Sequence, residues 1–252
     1  PTSAAPDLGA ILSPPYDVID ADDDRRLRER HPYNVVRLEL TTASVAGGPE
    51  GRYVLLTASG MSAILLLVLS LADNGGEFIS SPHLYGGTYH LFDESLKRLK
   101  IKCHFIKDPL CSSDWEEALL RHPKAKFLYA EDDANPMLIK LNNRAIAQIA
   151  HTYRKPYFCD HTVGTSVFQK PLVLGVDGVI HSASKNIGGR SSGLGGAIIA
   201  RKKFISKIKD DWFVVMGPVM DPRVADYMLA GLETLEERMK IKTKNACLVV
   251  SF

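Results

Sequence analysis

The sequence predicts an α/β domain with a mostly parallel β-sheet that helices cover on both faces. Two observations support this prediction. Short β-rich runs alternate with helical patterns from residue 52 onward, and this succession is typical of repeated βα units. One helical pattern, SGMSAILLLVLSLA at residues 59–72, is apolar almost all round, as expected of a buried helix.

Residues 1–47 form a segment of different character. Asp20 is a candidate N-cap of a short helix that has acidic residues in its first turn and arginines toward its end, which suits the helix dipole. VVRLEL at residues 35–40 alternates apolar and charged side chains, as a half-buried strand does. Small residues and glycines at 41–51 predict a linker, so we divide the chain into an N-terminal segment, 1–47, and a main domain, 48–252.

The main domain contains seven predicted strands in succession. They are RYVLL, EFISS, IKCHFI, KFLYAE, PYFCD, GVIHS and GGAIIA. Helices are expected through TYHLFDESLKRL, through NNRAIAQIAHTYR and in a long pattern from about residue 222 to the end. Ligands of such sheets bind outside the carboxyl ends of the strands, so a site is expected there.

Composition and charge exclude several classes of function. The formal net charge of +2 and the lack of a basic stripe argue against nucleic-acid binding. No apolar run reaches about 18 residues, so no membrane span is predicted, and the first residues lack the features of a secretory signal. The cysteines (Cys103, Cys111, Cys159 and Cys247) show no CxxC spacing, which predicts reduced thiols and a cytoplasmic location.

A lysine among small polar residues follows the strand GVIHS. Lys185 lies in HSASKNIGG, and a lysine in this setting is either a surface residue on a turn or a reactive amine in a pocket. Asp160 and Ser182 end predicted strands, and Ser59 and Gly60 follow another. Together these residues offer what pyridoxal phosphate needs: a lysine for a Schiff base, a carboxylate for the pyridine nitrogen, and donors for the phosphate.

Six stretches have the order and spacing of one known family. They are ASGMSAI, YGGTYHLF, ANPML, CDHTVGTSVFQKPLVLGVDGVIHSASKNIGG, LGGAI and GPVMDPRVADYMLAGLETLEERM. Through them, residues 48–252 resemble the Cys/Met-metabolism pyridoxal-phosphate-dependent enzymes, which include cystathionine synthases and lyases, methionine γ-lyase and O-acetylhomoserine sulfhydrylase. The resemblance implies an aminotransferase-like (type I) large domain and a homodimer or homotetramer. It also implies a lyase or transferase that eliminates or replaces a group at the β or γ carbon of a sulfur-containing or O-acylated amino acid.

The resemblance further implies roles for individual residues. Lys185 would be the Schiff-base lysine and the base that removes the α-proton, and Asp160, supported by Thr162, would hold the pyridine nitrogen. Tyr85 would stack on the cofactor ring, and Asn135 would contact its phenolic oxygen. The groups implied around the phosphate are Ser59, Gly60, Met61, Ser182 and Ser184.

The chain also departs from the family pattern. Ser184 stands where threonine is usual, which keeps the hydroxyl, whereas His161 replaces an asparagine and Asp133 stands where small residues or proline are common. Residues 1–47 lack the family's Tyr-x-Arg arm, and PPYDVI…NVVRLEL resembles an unrelated, uncharacterised bacterial family. We expect the chain to lack the family's small C-terminal domain, which carries the arginine that binds the substrate carboxylate.

Other interpretations remain open. Without that arginine, the chain would be a cofactor-binding pseudoenzyme, a fragment or an oligomerisation module without turnover. GRSSG at residues 189–193 fits the hydrolase pattern G-x-S-x-G, but Ser191 lies well beyond the preceding strand. No G-x-G-x-x-G follows the first strand and the sequence contains no P-loop. The pairs His83 and His90, and Cys159 and His161, lack a recognisable ligand spacing, so no metal site is predicted.

Overall fold

The computed structural model describes residues 19–20, 52–73, 75–191 and 193–251. The helix expected after Asp20 and the strand expected at residues 35–40 lie outside these residues. The strands are β1 (Ile19–Asp20), β2 (Arg52–Thr57), β3 (Glu77–Ser80), β4 (Lys102–Phe105), β5 (Leu128–Glu131), β6 (Tyr157–Asp160), β7 (Gly178–Ser182) and β8 (Gly196–Arg201). All seven strands expected in the main domain are present.

The strands form one sheet in the order β1-β2-β8-β7-β6-β5-β3-β4. The five strands from β4 to β7 run parallel. β8 runs antiparallel to both β7 and β2, so β2 and β7 run in the same direction. β1 adds a short antiparallel pair to β2 at the sheet edge. The prediction of a mostly parallel sheet is confirmed, and the carboxyl ends of β2, β3, β5, β6 and β7 lie at one edge.

The helices connect these strands and cover the sheet. They are α1 (Gly60–Leu71), α2 (Gly86–His90), α3 (Ser112–Arg121), α4 (Asn143–Thr152), α5 (Thr165–Phe168), α6 (Lys202–Ile208), α7 (Val214–Met216), α8 (Pro222–Glu233) and α9 (Leu235–Val250). The part of the chain that the structure describes also contains two π-helical turns (Leu91–Ser95 and Lys209–Phe213) and two 3₁₀ turns (Leu96–Leu99 and Pro171–Leu174). Among the helices described, none has the length and apolar character needed to cross a bilayer.

Alternation along the strands divides the apolar side chains between two cores, one on each face of the sheet. In β5, Leu128 and Ala130 belong to one core, whereas Tyr129 belongs to the other. The first core packs against α3, α4 and α8, and the second packs against α1 and α6. Both faces are therefore covered, as predicted, and the central strands are shielded from water.

α1 is the buried helix that its composition predicts. Ser59 caps it: the Ser59 hydroxyl accepts a hydrogen bond from Ser62 N (3.1 Å), and Ser59 N donates to the Ser62 hydroxyl (2.9 Å). Leu66, Leu67 and Val68 are consecutive and fully buried, so the helix has core contacts on every side. This environment explains why the helix has no polar face.

The long helical pattern near the C-terminus is two helices rather than one. Thr234 separates α8 from α9, with a backbone conformation (φ −112°, ψ 9°) outside the helical region. A Cβ on Gly231 would contact the backbone oxygens of Ile187 and Gly188, so α8 lies against the segment that follows β7. The break after α8 thus lies close to a tertiary contact that periodicity alone does not report.

Two adjacent leucines of α3 offer a test of the core. Leu119 is 2% exposed and packs in the first core, whereas Leu120 is 63% exposed. We expect Leu119→Ala to lower the free energy of unfolding by about 2–5 kcal/mol, because it removes buried methyl groups and leaves a cavity. Leu120→Ala is the matched control and should change it by less than about 0.5 kcal/mol. Urea unfolding measures the free energy of unfolding of both variants. Equal losses in Leu119→Ala and Leu120→Ala would contradict the packing described for α3.

Candidate functional site

Three neighbouring parallel strands bring polar side chains to one edge of the sheet. Glu131 ends β5 and lies opposite Asp160, which ends β6, and Asp160 lies opposite Ile180 in β7. Ser182 is the last residue of β7. The strand ends expected to carry the site are therefore side by side, and Glu131 is an addition that the sequence analysis did not include.

Asp160 is a buried carboxylate with one oxygen left unpaired. It is 6% exposed, and its Oδ1 accepts hydrogen bonds from Thr162 N (3.0 Å) and Thr162 Oγ1 (2.6 Å). Burial raises its pKa from 3.8 to about 6, although the bonds from Thr162 oppose this rise. No described residue donates a hydrogen bond to Oδ2. This oxygen is suited to a cationic N–H donor, whose charge would lower the pKa of Asp160 again.

Thr162 joins the ends of β6 and β7. Its hydroxyl donates to Asp160 and accepts a hydrogen bond from Ser182 N at 2.7 Å. The hydroxyl thus uses both its donor and an acceptor lone pair, which fixes its orientation. The support of Asp160 by Thr162 is present as a contact, and its effect on a bound cofactor stays a prediction.

The N-terminus of α1 approaches Ser182 closely. A Cβ on Gly60 would lie 2.8 Å from Ser182 Cβ and 3.0 Å from its Cα, so only glycine fits here. The first turn of α1 contains no acidic residue. Its free backbone N–H groups and the positive end of the helix dipole therefore offer an anion site beside Ser182, with Met61 as the next residue of the turn.

Two of the hydroxyls expected at the phosphate are engaged elsewhere. The Ser184 hydroxyl accepts from Gly195 N (2.9 Å) and donates to Gly195 O (3.2 Å). The Ser59 hydroxyl is used in the cap of α1. The Ser182 hydroxyl has no hydrogen-bond partner among the described residues. The donors available to an anion are thus the Ser182 hydroxyl and the backbone N–H groups of Gly60 and Met61.

Lys185 lies on the turn that follows β7, and its side chain is exposed. Lys185 N donates to Ser182 O (3.2 Å), and Gly189 N donates to Lys185 O (2.8 Å). Its Nζ has no hydrogen bond or ion pair within the described part of the chain. The residues that the structure describes therefore do not enclose this amine in a pocket.

Side chains from α9 hold this turn from outside. Arg238 donates from Nη1 to Asn186 O (2.8 Å) and from Nη2 to Ile187 O (3.2 Å) and Gly231 O (2.6 Å). Lys242 Nζ donates to Asn186 Oδ1 at 2.6 Å. The position of the Lys185 backbone thus depends on a helix that begins far along the chain, at Leu235.

Glu131 positions two segments that carry predicted site residues. Its Oε2 accepts from Tyr85 N (2.6 Å) and its Oε1 from Asn135 N (3.0 Å), and the side chain is buried. Burial and then the charge of Asp160 raise the pKa of Glu131 from 4.5 to about 7. Tyr85 is 47% exposed at the start of α2, and Asn135 is exposed. The sequence signal for Glu131 was a carboxylate at the end of the apolar strand KFLYAE.

Behind this edge, Asp132 is the centre of a buried polar network. It accepts from Lys140 Nζ (2.7 Å) and Asn143 Nδ2 (2.8 Å), and His161 Nδ1 lies 3.3 Å away. Burial alone would raise the pKa of Asp132, but the bonds to His161 and Lys140 hold it below its usual value. His161 is fully buried with Nε2 at 2.8 Å from Thr165 O. His161 therefore connects the residue after β5 to the start of α5 inside the protein, and its side chain does not reach the surface.

The hydrolase interpretation lacks the geometry it requires. A nucleophile elbow places its serine on a sharp turn between a strand and a helix. Ser191 is exposed in the loop between β7 and β8, well beyond Ser182, and the next element is a strand.

Comparison with known proteins identifies one family. The model of the Cys/Met-metabolism PLP-dependent enzymes matches residues 28–252. The match begins ahead of the boundary that we expected at residue 48, and that boundary stays a prediction.

Individual relatives agree with this match. The chain is 37% identical over 191 residues to O-succinylhomoserine sulfhydrylase of Pseudomonas aeruginosa, covering 75% of this chain and 46% of that protein. It is 32% identical over 248 residues to L-methionine gamma-lyase of Fusobacterium nucleatum, covering 94% of this chain and 61% of that protein. The structure of cystathionine gamma-lyase from Lactobacillus plantarum, solved in complex with L-serine, superposes with a TM-score of 0.80 at 29% sequence identity. The match covers 89% of this chain and 57% of that one. The chain thus spans about half the length of the curated relatives it matches.

The raised pKa of Glu131 predicts a pH-dependent stability. Its folded-state pKa of about 7 lies above its ordinary 4.5, so its contribution is present below pH 4.5 and is lost as the pH rises through 7. We expect the cofactor-free chain to lose on the order of 3 kcal/mol between pH 4.5 and pH 8 through this group. Glu131→Gln should flatten this dependence, whereas exposed Glu94→Gln should keep it. Urea unfolding at several pH values between 4.5 and 8 measures this dependence. If the free energy of unfolding of Glu131→Gln changes with pH as steeply as that of the unmodified chain, the assignment to Glu131 is refuted.

The contacts of Arg238 predict a change in local mobility. Arg238→Met removes the donors to the turn but keeps the length of the side chain. We expect the amides of residues 183–189 to exchange with deuterium about tenfold faster or more, because hydrogen bonds from a charged group are lost. Arg223→Met is the control, since Arg223 is 86% exposed and pairs with Asp221 instead. Equal exchange in both variants would show that α9 does not hold the turn.

Proposed function

Because the chain belongs to the family of Cys/Met-metabolism PLP-dependent enzymes, we propose that it is the cofactor-binding part of an enzyme that eliminates or replaces a side-chain group of a sulfur-containing or O-acylated amino acid. The observation that carries the proposal is the unpaired oxygen of buried Asp160, beside the anion site of α1. The names of the relatives, which refer to O-succinylhomoserine and methionine, support this substrate class.

The residues present fit pyridoxal phosphate. The Oδ2 atom of Asp160 would accept a hydrogen bond from the ring nitrogen, since it is buried and has no partner among the described residues. The α1 N-terminus and the Ser182 hydroxyl would hold the phosphate, because both provide hydrogen-bond donors. The first turn of α1 also has no acidic side chain that would repel an anion. The Tyr85 ring is exposed enough to stack on the cofactor, and Lys185 Nζ is free to bind it covalently.

Each residue then has a defined task in the reaction. When bound, pyridoxal phosphate supplies an electron sink that stabilises negative charge at the α carbon of the substrate. Asp160 would stabilise positive charge on the ring nitrogen through its free carboxylate oxygen. Lys185 Nζ would serve as the base that takes the α-proton of the substrate. Glu131 keeps the segments of Tyr85 and Asn135 in place through their backbone amides.

The exposure of Lys185 supports a further part of the proposal, that a second copy of the chain covers the site. Tyr85, Met137 and Leu138, which lie on the segments beside Glu131, are also 47%, 61% and 66% exposed. A homodimer or homotetramer that buries this region would supply the dry surroundings that a lysine base requires. Sedimentation equilibrium tests this part, and a monomer at micromolar concentration would refute it.

A second candidate is cofactor binding without turnover. The engaged hydroxyl of Ser184 and the exposed Lys185 favour it, because both differ from a fully assembled site. Incubation of the cofactor-loaded chain with O-succinylhomoserine separates the two candidates: release of succinate supports the enzyme, and its absence supports the binding module. A cytoplasmic location is proposed because the four cysteines are free thiols.

The assignment of Lys185 predicts a change in colour. We expect Lys185→Ala to fold but to remain colourless with added pyridoxal phosphate, because the amine that binds the cofactor is gone. The chain with Lys185 intact should be yellow, and borohydride followed by peptide mapping should place the label on Lys185. Exposed Lys244→Ala is the control and should stay yellow. A Lys185→Ala protein that still forms an absorbing, reducible adduct would overturn the assignment.

A further inference from the structure

A cluster of metal-ligand side chains lies away from the cofactor site, toward the β4 edge of the sheet. Glu77 begins β3, His104 lies in the edge strand β4, and His122 follows the last residue of α3. Glu77 is thus at the opposite end of its strand from the carboxyl edge that carries Asp160. All three residues are partly buried, so solvent reaches them.

The three side chains converge. His104 Nε2 lies 3.1 Å from Glu77 Oε2, and the rings of His104 and His122 stack with centroids 3.6 Å apart and planes 11° apart. One ligand atom from each residue lies within 4.8 Å of the other two. Ligand atoms around a tetrahedral zinc ion are about 3.3–3.6 Å apart, given zinc–nitrogen and zinc–oxygen distances of about 2.0–2.2 Å. The three side chains are thus close enough to share one ion once the two imidazole rings rotate out of their stacked arrangement.

We propose that Glu77, His104 and His122 bind a transition-metal ion, with zinc as the best match. Two imidazoles and one carboxylate form a common set of protein ligands for zinc. Three protein ligands leave a fourth position for water or an anion. The bound ion would join β3, β4 and the residue that follows α3, so it would fasten this helix to the edge of the sheet.

The surrounding charges favour zinc over magnesium or calcium. A cleft of about 750 Å³ beside Glu77 is lined by Lys102, Lys124, Lys126 and Lys155, together with Asp73. These lysines repel cations, so an ion is retained here only through strong bonds to nitrogen. Zinc forms such bonds with imidazole, whereas magnesium and calcium require mainly oxygen ligands. The same lysines favour an anion at the open position of the metal.

Among the described residues, neighbouring groups do not offer an equivalent site. Asp132, Asp133 and His161 also converge, but Lys140 Nζ already contacts both carboxylates at 2.7 Å and 3.3 Å and takes the place of a cation. Cys103 precedes His104 and packs in the core on the other face of the sheet, because neighbouring residues of a strand point to opposite faces. It is therefore not a ligand of this cluster.

Zinc binding to the whole untagged, reduced chain tests the proposal. Equilibrium dialysis against ZnCl₂, followed by metal analysis, is carried out on the unmodified chain, on His122→Gln and on His104→Gln. His90→Gln is the matched control, since His90 is exposed in the last turn of α2. We expect both cluster variants to lose one bound zinc ion or to bind it at least about tenfold more weakly. Removing a hydrogen-bond partner of a metal ligand already lowers metal affinity by about this factor, and removing the ligand itself should lower it at least as much. His90→Gln should bind as the unmodified chain does.

Two results would overturn the proposal. One is zinc binding that is the same in His122→Gln as in the unmodified chain, because the ion would then be held elsewhere, for example by cysteines. The other is displacement of the zinc by excess MgCl₂. His122 follows α3 and lies outside the strands, so His122→Gln is expected to keep the fold, and circular dichroism checks this. The outcome is independent of the cofactor assay, since Lys185 is not altered.

Discussion

The burial of two carboxylates side by side is the constraint on which the site depends. Glu131 and Asp160 are opposite each other in register at the ends of β5 and β6, and each must be satisfied by hydrogen bonds. Glu131 is satisfied by the backbone amides of Tyr85 and Asn135, which fixes two loops above the sheet. Asp160 accepts hydrogen bonds from Thr162 on Oδ1, whereas no residue that the structure describes donates to Oδ2. The parallel sheet thus places a supported carboxylate and a carboxylate with a free acceptor side by side.

The position of Lys185 depends on a different set of contacts. Its turn begins at Ser182, which Thr162 connects to β6, and it ends where Arg238 and Lys242 bind the carbonyl and side chain of Asn186. The turn is therefore fixed from the sheet on one side and from α9 on the other, while the side chain of Lys185 remains exposed. The amine of Lys185 is thus presented to solvent from a turn that is held on both sides.

The strands and the buried helix could be predicted because their signals are local. The apolar character of α1 and its cap at Ser59 are properties of neighbouring residues, as are the β-rich runs that end at Asp160 and Ser182. The break at Thr234 was not predicted, because the apolar spacing of the long helical pattern gives no sign of it. The approach of Gly231 to the segment after β7 is likewise a long-range contact that no local pattern reports. The engagement of the Ser184 hydroxyl with Gly195 could not be predicted either, since the hydroxyl itself suits a phosphate equally well.

The sequence by itself determined the family, the order of the strands of the main domain and the residue types that pyridoxal phosphate requires, because these are carried by motifs of a few adjacent residues. Only the tertiary structure decided which side chains meet. Glu131 contacts Tyr85 across 46 positions and Arg238 contacts Asn186 across 52, and His104 meets Glu77 across 27. Such contacts follow from strand order and register, which depend on the packing of the whole sheet and are not encoded in any local pattern.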